Sequence, residues 1–434
     1  MIIWVIDTGE KFLPYLAYPY IRKAQSDDYD AIWAIWMQDH IIQWMSFGKQ
    51  SKEEFRTHYA RMTEASDIYV LIDKVNDQEK IVGVRRIKFG KNQYQHIAEY
   101  CSMAIDKDYQ SKGYAKLFYQ ESEKIVRKAG IKRIQLTQSG GNLAAFHIID
   151  KSFSEEAVFP DWLQRHNNNG DFYLIERYIY RFLDDKLAAI ASKLPSLKYQ
   201  EVIPPLRAVS NNAITVQRVN NQFIAYFKEK PLLTLDFYPD NSVIRHIGFL
   251  SIQFHLLDHQ PEATLALQKI LSDILEEGCV KKVELFTAEL AVAELCRNTG
   301  FFVRGEKIAS YYDDKEGYKN ELGVEYSFFN IVDTQSLITA KMADPMKRES
   351  IASVLLSCSE RIDALVKNKT CDSLGARYLE NLVYQIVRDG LGLNKIFSLV
   401  DKRWIPLINE VPSALHNDLC CLQNRLQSTG IAPL

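Results

Sequence analysis

The hydrophobic and polar positions of residues 1–183 follow two alternating spacings. Apolar residues recur at helical spacing over Tyr29–His40, and Ser51 and Glu54 have the spacing of a capping box that begins a second helix. Strand-like alternation follows over Ile68–Lys74, Ile81–Lys88 and Ile97–Ile105. The segment Ile97–Ile105 is apolar on both faces, which is typical of a strand inside a sheet.

The alternation continues to about residue 183 and predicts a mixed α/β (α+β) domain. Gly130 is placed to end one helix, and Asn142 is placed to cap the next. The later elements are predicted to be a helix Gly113–Ala129, a strand Ile131–Thr137, a helix Leu143–Lys151 and a strand Phe172–Phe182, with room for a further strand near Val158.

Three further segments follow residues 1–183. Residues 184–200 are predicted to be a linker helix, and residues 201–333 repeat the later part of the first domain as strands, helix, strand, helix and strands. From residue 334 to residue 434 the pattern is helical, and we expect its apolar stripes to cover the second segment. The stripes are Ile351, Val354, Leu355, Cys358, Ile362, Leu365 and Val366, and then Tyr378, Leu379, Leu382, Val383, Ile386 and Val387.

Composition argues against several classes of function. The 434 residues carry 53 Lys and Arg against 55 Asp and Glu, so neither a nucleic-acid partner nor a membrane surface is expected. The 7 Cys have no disulfide or metal-site spacing, which predicts no metal and a reducing, cytoplasmic location. No signal peptide is expected, because Asp7, Glu10 and Lys11 interrupt the first apolar run.

The most informative residues form the loop Gln110-Ser111-Lys112-Gly113-Tyr114-Ala115 between a predicted strand and a predicted helix. The first amides of a helix have no intrahelical acceptor and lie at the positive end of the helix dipole. A pyrophosphate placed there gains several backbone donors. Gly113 and Ala115 are small enough to let a phosphate approach the backbone.

Gln110, Gly113 and Ala115 fill the defined positions of the signature Q/R-x-x-G-x-G/A, so the segment Pro19–Leu183 resembles the GNAT superfamily of acyl-CoA N-acyltransferases. The resemblance implies a GNAT-like mixed sheet flanked by helices, with acetyl-CoA as the acyl donor. It also implies the residues that bind this donor. These are Gln110, Ser111, Lys112, Gly113, Tyr114 and Ala115 at the pyrophosphate, and Met103, Ala104, Ile105 and Asn142 along the pantetheine arm.

Glu99 is the first candidate for catalysis. It is predicted to share a strand face with Ile97, Cys101, Met103 and Ile105, where a carboxylate is costly unless it is paired or functional. The run Ala98-Glu99 to Ala104-Ile105 resembles that around the general-base glutamate of histone-type GNAT acetyltransferases. The resemblance implies that Glu99 deprotonates the acceptor amine. The alternative is a structural ion pair with Arg85 or Arg86.

A general acid is harder to assign. Many members of the superfamily carry a Tyr on the helix after Asn142, but this chain has Ile149 there, and Ser152-Phe153 replaces the usual Gly-Phe. Tyr114 and His147 are the fallback candidates, although a lone His on such a helix is more often structural. A thiol has a pKa of about 8.5, so departure of the thiolate without an acid is the alternative.

The second segment resembles a degenerate GNAT copy in a tandem arrangement. Its corresponding loop is Leu257-Asp258-His259-Gln260-Pro261-Glu262, which has no glycine, two carboxylates and a proline that lacks an N–H. We expect no CoA binding there. In tandem GNAT proteins a silent copy typically helps to build the substrate groove, which is an analogy at the level of the fold.

These patterns predict an N-acetyltransferase whose acceptor is a protein lysine, a protein N-terminus or a small amine. A wide neutral groove would favour a peptide, and an acidic closed pocket a polyamine. Trp44 and Phe47 are candidates to face the acceptor, whereas Trp33 and Trp36 are expected in the core. The alternative, motivated by Ile149, is a CoA-binding interaction or regulatory protein with weak catalysis. Acetylation of aminoacyl-tRNA is disfavoured by the neutral charge.

Overall fold

A computed structural model gives the architecture of the chain. It describes residues 18–45, 47–139, 142, 145, 149, 153–167, 170–197, 214–239, 247–278, 280–342, 344–368, 376, 379–380, 383–384, 386–388 and 413–428. The chain divides into two compact units. The first unit runs to Gly90 and resumes over Gln95–Ile134, and the second comprises Lys91–Tyr94 and the chain from Gln135 onward. The domain limits at residues 183, 200 and 333 stay predictions.

The first unit is a four-stranded antiparallel sheet with helices. Its elements are β1 Tyr20–Lys23, α1 Tyr29–Trp36, α2 Asp39–Ile42, α3 Lys52–Ala65, β2 Asp67–Val75, β3 Gln78–Phe89, β4 Ile97–Ile105 and α4 Tyr114–Lys128. The strand order is β1-β2-β3-β4, and each neighbouring pair is antiparallel. These predicted helices and strands are confirmed, except that the helix expected over Tyr29–His40 is divided into α1 and α2.

One face of this sheet is covered by α1 and α3. Trp36 and Phe55 are fully buried there with Val84, whereas Trp33 is only half-buried. The predicted capping box begins α3, because the Ser51 amide donates to Glu54 Oε2 at 2.8 Å and the Glu54 amide donates to Ser51 Oγ at 3.3 Å. The complete burial of Trp36 confirms its predicted core position, and the half-buried Trp33 packs against the same core.

A bulge in β4 interrupts the alternation of its side chains. Val84 pairs with Ala104 and Arg86 pairs with Cys101, so β4 has one residue more than β3 over this stretch. Ser102 lies inside the bulge with a φ of 45°, in the left-handed region. The alternation of β4 side chains between the two faces of the sheet is consequently reversed from one side of Ser102 to the other.

The bulge decides which residues share a face with Glu99. Glu99 pairs with Lys88, and together with Cys101 it lies on the face that α1 and α3 cover. Ile105 pairs with Gly83 and lies on the opposite face. The predicted common face for Glu99 and Ile105 was wrong, because the inserted residue reverses the alternation.

The second unit contains a longer sheet. Its elements are β5 Arg133–Ser139 (from Gln135), β6 Ser154–Asn167, β7 Gly170–Phe182, α5 Asp185–Ala191, β8 Ile214–Val219, β9 Gln222–Phe227, β10 Lys230–Pro239, β11 Ile247–Phe254, α6 Gln260–Glu277, β12 Lys282–Thr287, α7 Leu290–Thr299, β13 Phe302–Asp313, β14 Gly317–Ser327, α8 Ile331–Lys341, α9 Pro345–Lys367 and α10 Ser413–Ser428. The strand order is β5-β7-β6-β13-β14-β12-β11-β10-β9-β8, and β11 and β12 pair in parallel.

Most predicted elements of the second unit are present. The strand suggested near Val158 is β6, and the predicted linker helix is the short α5, whose first amides bond the Asp184 carboxylate. Most described members of both predicted stripes are buried in one cluster with Phe329, against which Phe302 packs, and the expectation that the stripes cover residues 201–333 stays a prediction. Val366 departs from its stripe and is 39% exposed, while Tyr378 and Leu382 lie outside the described residues.

A buried ionic cluster lies where β12 and β14 pair. Lys282 Nζ is 2.5 Å from Glu284 Oε1 and 3.4 Å from Glu325 Oε2, and Arg304 donates to Glu325 Oε1 at 2.8 Å. Burial raises the pKa of Glu325, but Arg304, Lys282 and Arg388 outweigh it and lower that pKa to about 2.

No helix in the described part of the chain is long and apolar enough to cross a membrane.

Gly305 gives a direct test of how β13 and β6 pair. A Cβ at this position would lie 2.2 Å from the Glu156 carbonyl oxygen and 2.3 Å from the Ala157 Cα. Because both atoms belong to the backbone, Gly305→Ala should lower the free energy of unfolding by about 1–3 kcal/mol. Denaturant titration measures the loss. Gly48→Ala is the control, since its Cβ would meet nothing within 4 Å, and equal midpoints for the two variants would contradict the pairing.

Candidate functional site

Gly113 makes the turn from the loop after β4 into α4. It occupies the N-cap position with a φ of 81°, a conformation that favours glycine. A Cβ built there would meet no atom within 4 Å, so the backbone conformation, and not crowding inside the protein, requires glycine. The open side of this turn is available to a ligand.

The first turn of α4 presents unused backbone donors. The first helical hydrogen bond runs from the Leu117 amide to the Gly113 carbonyl at 3.1 Å, so the amides of Tyr114, Ala115 and Lys116 precede it. No acidic residue lies in this turn, and Lys112 is exposed beside it. Together with the helix dipole, these groups form an anion-binding arrangement.

Gln110 and Asp106 hold the loop in place. Gln110 Nε2 donates to the Ile105 carbonyl at 3.1 Å and lies 2.7 Å from His40 Nε2. The Asp106 carboxylate accepts from the Asp108 amide at 3.2 Å and caps the 3-10 turn Lys107–Tyr109. The signature glutamine thus ties the loop to the end of β4 and to α2.

The Tyr114 side chain is tied to β2. Its hydroxyl donates to Asp73 Oδ2, and this hydrogen bond is the largest cause that raises the pKa of Tyr114 to about 12. The hydroxyl therefore stays protonated near neutral pH. The contact also fixes the first turn of α4 against the sheet.

Asn142 caps the chain that follows it in the second unit. Its Oδ1 accepts from the Ala145 amide at 3.1 Å, and Gln138 Nε2 donates to its carbonyl at 3.3 Å. The predicted capping role is confirmed, and its contact with a cofactor stays a prediction. Ile149 is buried and offers no acid, whereas His147 lies outside the described residues.

Glu99 is only weakly paired. Its side chain is 32% exposed, and Lys88 Nζ lies 4.0 Å from its Oε2, at the outer limit of an ion pair. Arg85, one of the two expected partners, points to the other face, where its guanidinium lies 4.2 Å from the Tyr100 ring centroid and 3.8 Å from that of Tyr119. Glu99 thus keeps an accessible carboxylate beside Cys101.

His58 is a candidate site residue that the sequence analysis missed. It projects from α3, with its ring centroid 4.8 Å from that of the buried Phe47. Burial lowers the pKa of His58, and the charges of Arg86 and then Arg61 lower it further. Its place one turn after Phe55 on the buried side of α3 was the signal in the sequence.

The loop before α6 differs from the loop before α4. Pro261 and Glu262 occupy the first turn of α6, and Glu262 Oε2 lies 3.6 Å from His259 Nδ1. A proline lacks an amide hydrogen, and a carboxylate opposes an anion at a helix N-terminus. The absence of CoA binding at this loop stays a prediction, as does the degenerate second copy.

Among the residues that the structure describes, no group of three or more His, Cys, Asp or Glu side chains is arranged to hold a metal ion.

Comparisons with known proteins bear on residues 21–153, which comprise most of the first unit and the first part of the second. Residues 21–153 match the family model described as the acetyltransferase (GNAT) family. The match includes the loop 110–115, Glu99 and Asn142. A search of curated proteins found no match.

Three solved structures to which this chain is similar are titled as acetyltransferases. They are a GNAT superfamily phosphinothricin acetyltransferase from Sinorhizobium meliloti in complex with AcCoA (14% identity, 89% of that chain, TM-score 0.33), the ribosomal-protein-S18-alanine N-acetyltransferase from Escherichia coli (17%, 94%, 0.30) and a GNAT family acetyltransferase from Streptococcus pneumoniae (19%, 99%, 0.31). Each comparison covers 38% of this chain. The substrates in those names belong to those proteins.

Titration of His58 tests how α3 packs over Arg86 of β3. We expect NMR to place the pKa of His58 below the ordinary value of 6.5. Arg86→Gln should raise that pKa because it removes a nearby positive charge, whereas Lys49→Gln, an exposed control that pairs with Asp39, should leave it unchanged. A pKa at or above 6.5, or one that Arg86→Gln does not move, would contradict the arrangement.

Proposed function

We propose, on the premise that residues 21–153 are a GNAT acetyltransferase domain, that this domain transfers the acetyl group of acetyl-CoA to an amine. The observation that carries the proposal is a pairing of two features on consecutive elements. An uncapped helix N-terminus that suits a pyrophosphate follows β4, and β4 itself bears the accessible carboxylate of Glu99. A donor site and a base are both needed for this reaction.

The donor half rests on the loop before α4. The amides of Tyr114, Ala115 and Lys116 and the Lys112 ammonium would bind the pyrophosphate of acetyl-CoA. Gln110 would keep the loop in the binding conformation through its bond to the Ile105 carbonyl. The backbone of Met103, Ala104 and Ile105 would contact the pantetheine arm, as the family resemblance implies.

The acceptor half rests on Glu99. An amine with a pKa of about 10.4 is mostly protonated near neutral pH and must lose a proton before it attacks. Glu99 would take that proton, directly or through water. The nitrogen lone pair then forms a bond to the thioester carbonyl carbon, and the carbon–sulfur bond breaks with its electron pair on sulfur. The second proton on nitrogen leaves to solvent or to the thiolate.

Protonation of the departing thiolate has two candidate routes. Tyr114 and His147 are the candidate acids, but the Tyr114 hydroxyl is already donated to Asp73. Ile149 is buried and cannot act. Because the thiol of CoA is a fair leaving group, with a pKa of about 8.5, departure as the thiolate is consistent with this arrangement.

Calorimetry with acetyl-CoA tests the donor half. We expect one site per chain, and we expect Gly113→Glu to abolish binding, because its carboxylate would occupy the place of the pyrophosphate. Gly130→Glu is the matched control. Gly130 follows the other end of α4 with a φ of 76°, and neither glycine would place a Cβ within 4 Å of another atom. The two variants should lose similar stability, so loss of binding in both would contradict the assignment.

Glu99→Gln tests the acceptor half. We expect kcat to fall about 100- to 10,000-fold at pH 7, the usual contribution of a general base. The deficit should shrink as the pH approaches the pKa of the amine, because an unprotonated amine needs no base. Glu64→Gln, an exposed change on α3, should retain activity. The rate of CoA release would be measured at several pH values for the unmodified protein, Glu99→Gln and Glu64→Gln. Full turnover by Glu99→Gln would overturn the role of Glu99.

The second candidate function is a CoA-binding regulatory or interaction protein. The buried Ile149 at the position expected to carry an acid favours it. The two functions differ in one measurement. Stoichiometric binding of acetyl-CoA with no CoA release in the presence of any amine would support the regulatory protein.

A further inference from the structure

We infer that the acceptor is an amine that also carries an anionic group, a carboxylate, phosphonate or phosphate, and that Arg86 binds this group. The inference rests on the proposed acetyl transfer and names its substrate class. It follows from the distribution of charge around Glu99, on the face of β3 and β4 that α1 and α3 cover.

Two cations of β3 lie opposite the part of β4 that bears Glu99. Lys88 lies opposite Glu99 in the register of β3 and β4, and Arg86 lies opposite Cys101. Arg61 on α3 is close enough to His58 to lower its pKa, as is Arg86. Glu99 is the one carboxylate among these paired strand positions. Lys88 and Arg86 thus place two cations of β3 opposite the part of β4 that bears Glu99, which disfavours an acceptor that brings only further positive charge.

Arg86 has unused hydrogen-bonding capacity. Its Nε is buried and has no hydrogen-bond partner, and Arg86 forms no ion pair within the part of the chain that the structure describes. The neighbouring Cys101 does not supply an anion, because burial raises the pKa of its thiol to about 12. A buried guanidinium donor without an acceptor is costly, and an anionic ligand would satisfy it in bidentate fashion.

The spacing fits a short bifunctional molecule. Glu99 and Cys101 are two residues apart on β4, which places their backbones roughly 7 Å apart at about 3.3 Å per residue. Arg86 stands opposite Cys101 and is therefore diagonal to Glu99 across the two strands, an arrangement in which the backbones lie about 7–8 Å apart and long side chains can reach a common ligand. An amino-acid-like acceptor, with its anion a few bonds from its nitrogen, spans this separation. A polyamine would instead bring further positive charge to Lys88, Arg86 and Arg61.

The test compares amines that differ only in a carboxylate. CoA release from saturating acetyl-CoA would be measured for the full chain with L-lysine against cadaverine and with L-phenylalanine against phenethylamine. We expect kcat/KM to be at least about 10-fold higher for the carboxylated member of one pair or both, the range of a charge-assisted bidentate contact. Arg86→Gln should remove that preference by lowering kcat/KM for the amino acid about 10- to 100-fold. Arg86→Lys should recover part of it, and Arg127→Gln at the far end of α4 should keep it.

A second measurement needs no variant and no turnover. Because Arg86 lowers the pKa of His58, an anion bound at Arg86 should raise that pKa in the unmodified protein with L-phenylalanine but not with phenethylamine.

The outcomes separate this inference from the proposed function. Preference for the decarboxylated amines, or a carboxylate preference that survives Arg86→Gln, would overturn the anionic acceptor while acetyl transfer stands. If acetyl-CoA binds but no amine releases CoA, acetyl transfer fails, and an unchanged His58 pKa with L-phenylalanine would then overturn the anion site as well.

Discussion

A helix cannot satisfy its own first amides, and the candidate donor site of the first unit depends on that constraint. At Gly113 no side chain caps the N-terminus of α4, and no other atom of the described residues lies within 4 Å of the place that a Cβ would occupy. The first amides of α4 therefore stay accessible to a ligand. Asp106 caps the short turn before the loop, and Asp73 engages the hydroxyl of Tyr114 and not the backbone amides. The carboxylates of Asp106 and Asp73 are thus engaged by neighbouring groups, and the first turn of α4 itself contains no acidic residue.

The contrast with α6 shows how little sequence separates an anion site from an ordinary helix start. Both helices follow a strand, but the first turn of α6 contains Pro261 and Glu262, which remove one donor and add one negative charge. The element order β11, α6, β12, α7 and then β13 and β14 is present as expected. That order alone carries no chemistry, because function depends on the residues of a site and not on the path of the chain.

The sequence predicted most of the elements because local signals determine them. The capping box at Ser51 and Glu54 and the helix stop at Gly130 depend only on neighbouring residues, and both are present. The loop 110–115 was likewise identified from its own residues. The proximity of His58 to Arg86 was not predicted, because it arises where α3 packs over β3 and the two residues are far apart in the chain.

Long-range pairing also explains the features that the sequence did not predict or predicted incorrectly. The buried cluster of Lys282, Glu284 and Glu325 brings together like and unlike charges from β12 and β14, which no periodicity within one strand reveals. The face of Glu99 was predicted incorrectly beyond Ser102 for a similar reason. A bulge is defined by the partner strand, so it is visible in the register and not in the alternation of one segment.

Because of the bulge, the positions of Glu99 and of the loop after β4 depend on the exact number of residues in β4. Trp36 holds it by donating from Nε1 to the Ser102 carbonyl at 3.0 Å. Since successive side chains on a strand point to opposite faces, deletion of one residue at the bulge would restore a regular ladder on one side only by turning the other half over. Either Glu99 would then face Arg85 and Tyr119 while Tyr100 turned to the other face, or the loop that begins at Asp106 would leave the sheet from its other side. Insertions and deletions should therefore be tolerated less well between Glu99 and Ile105 than in the β2–β3 turn.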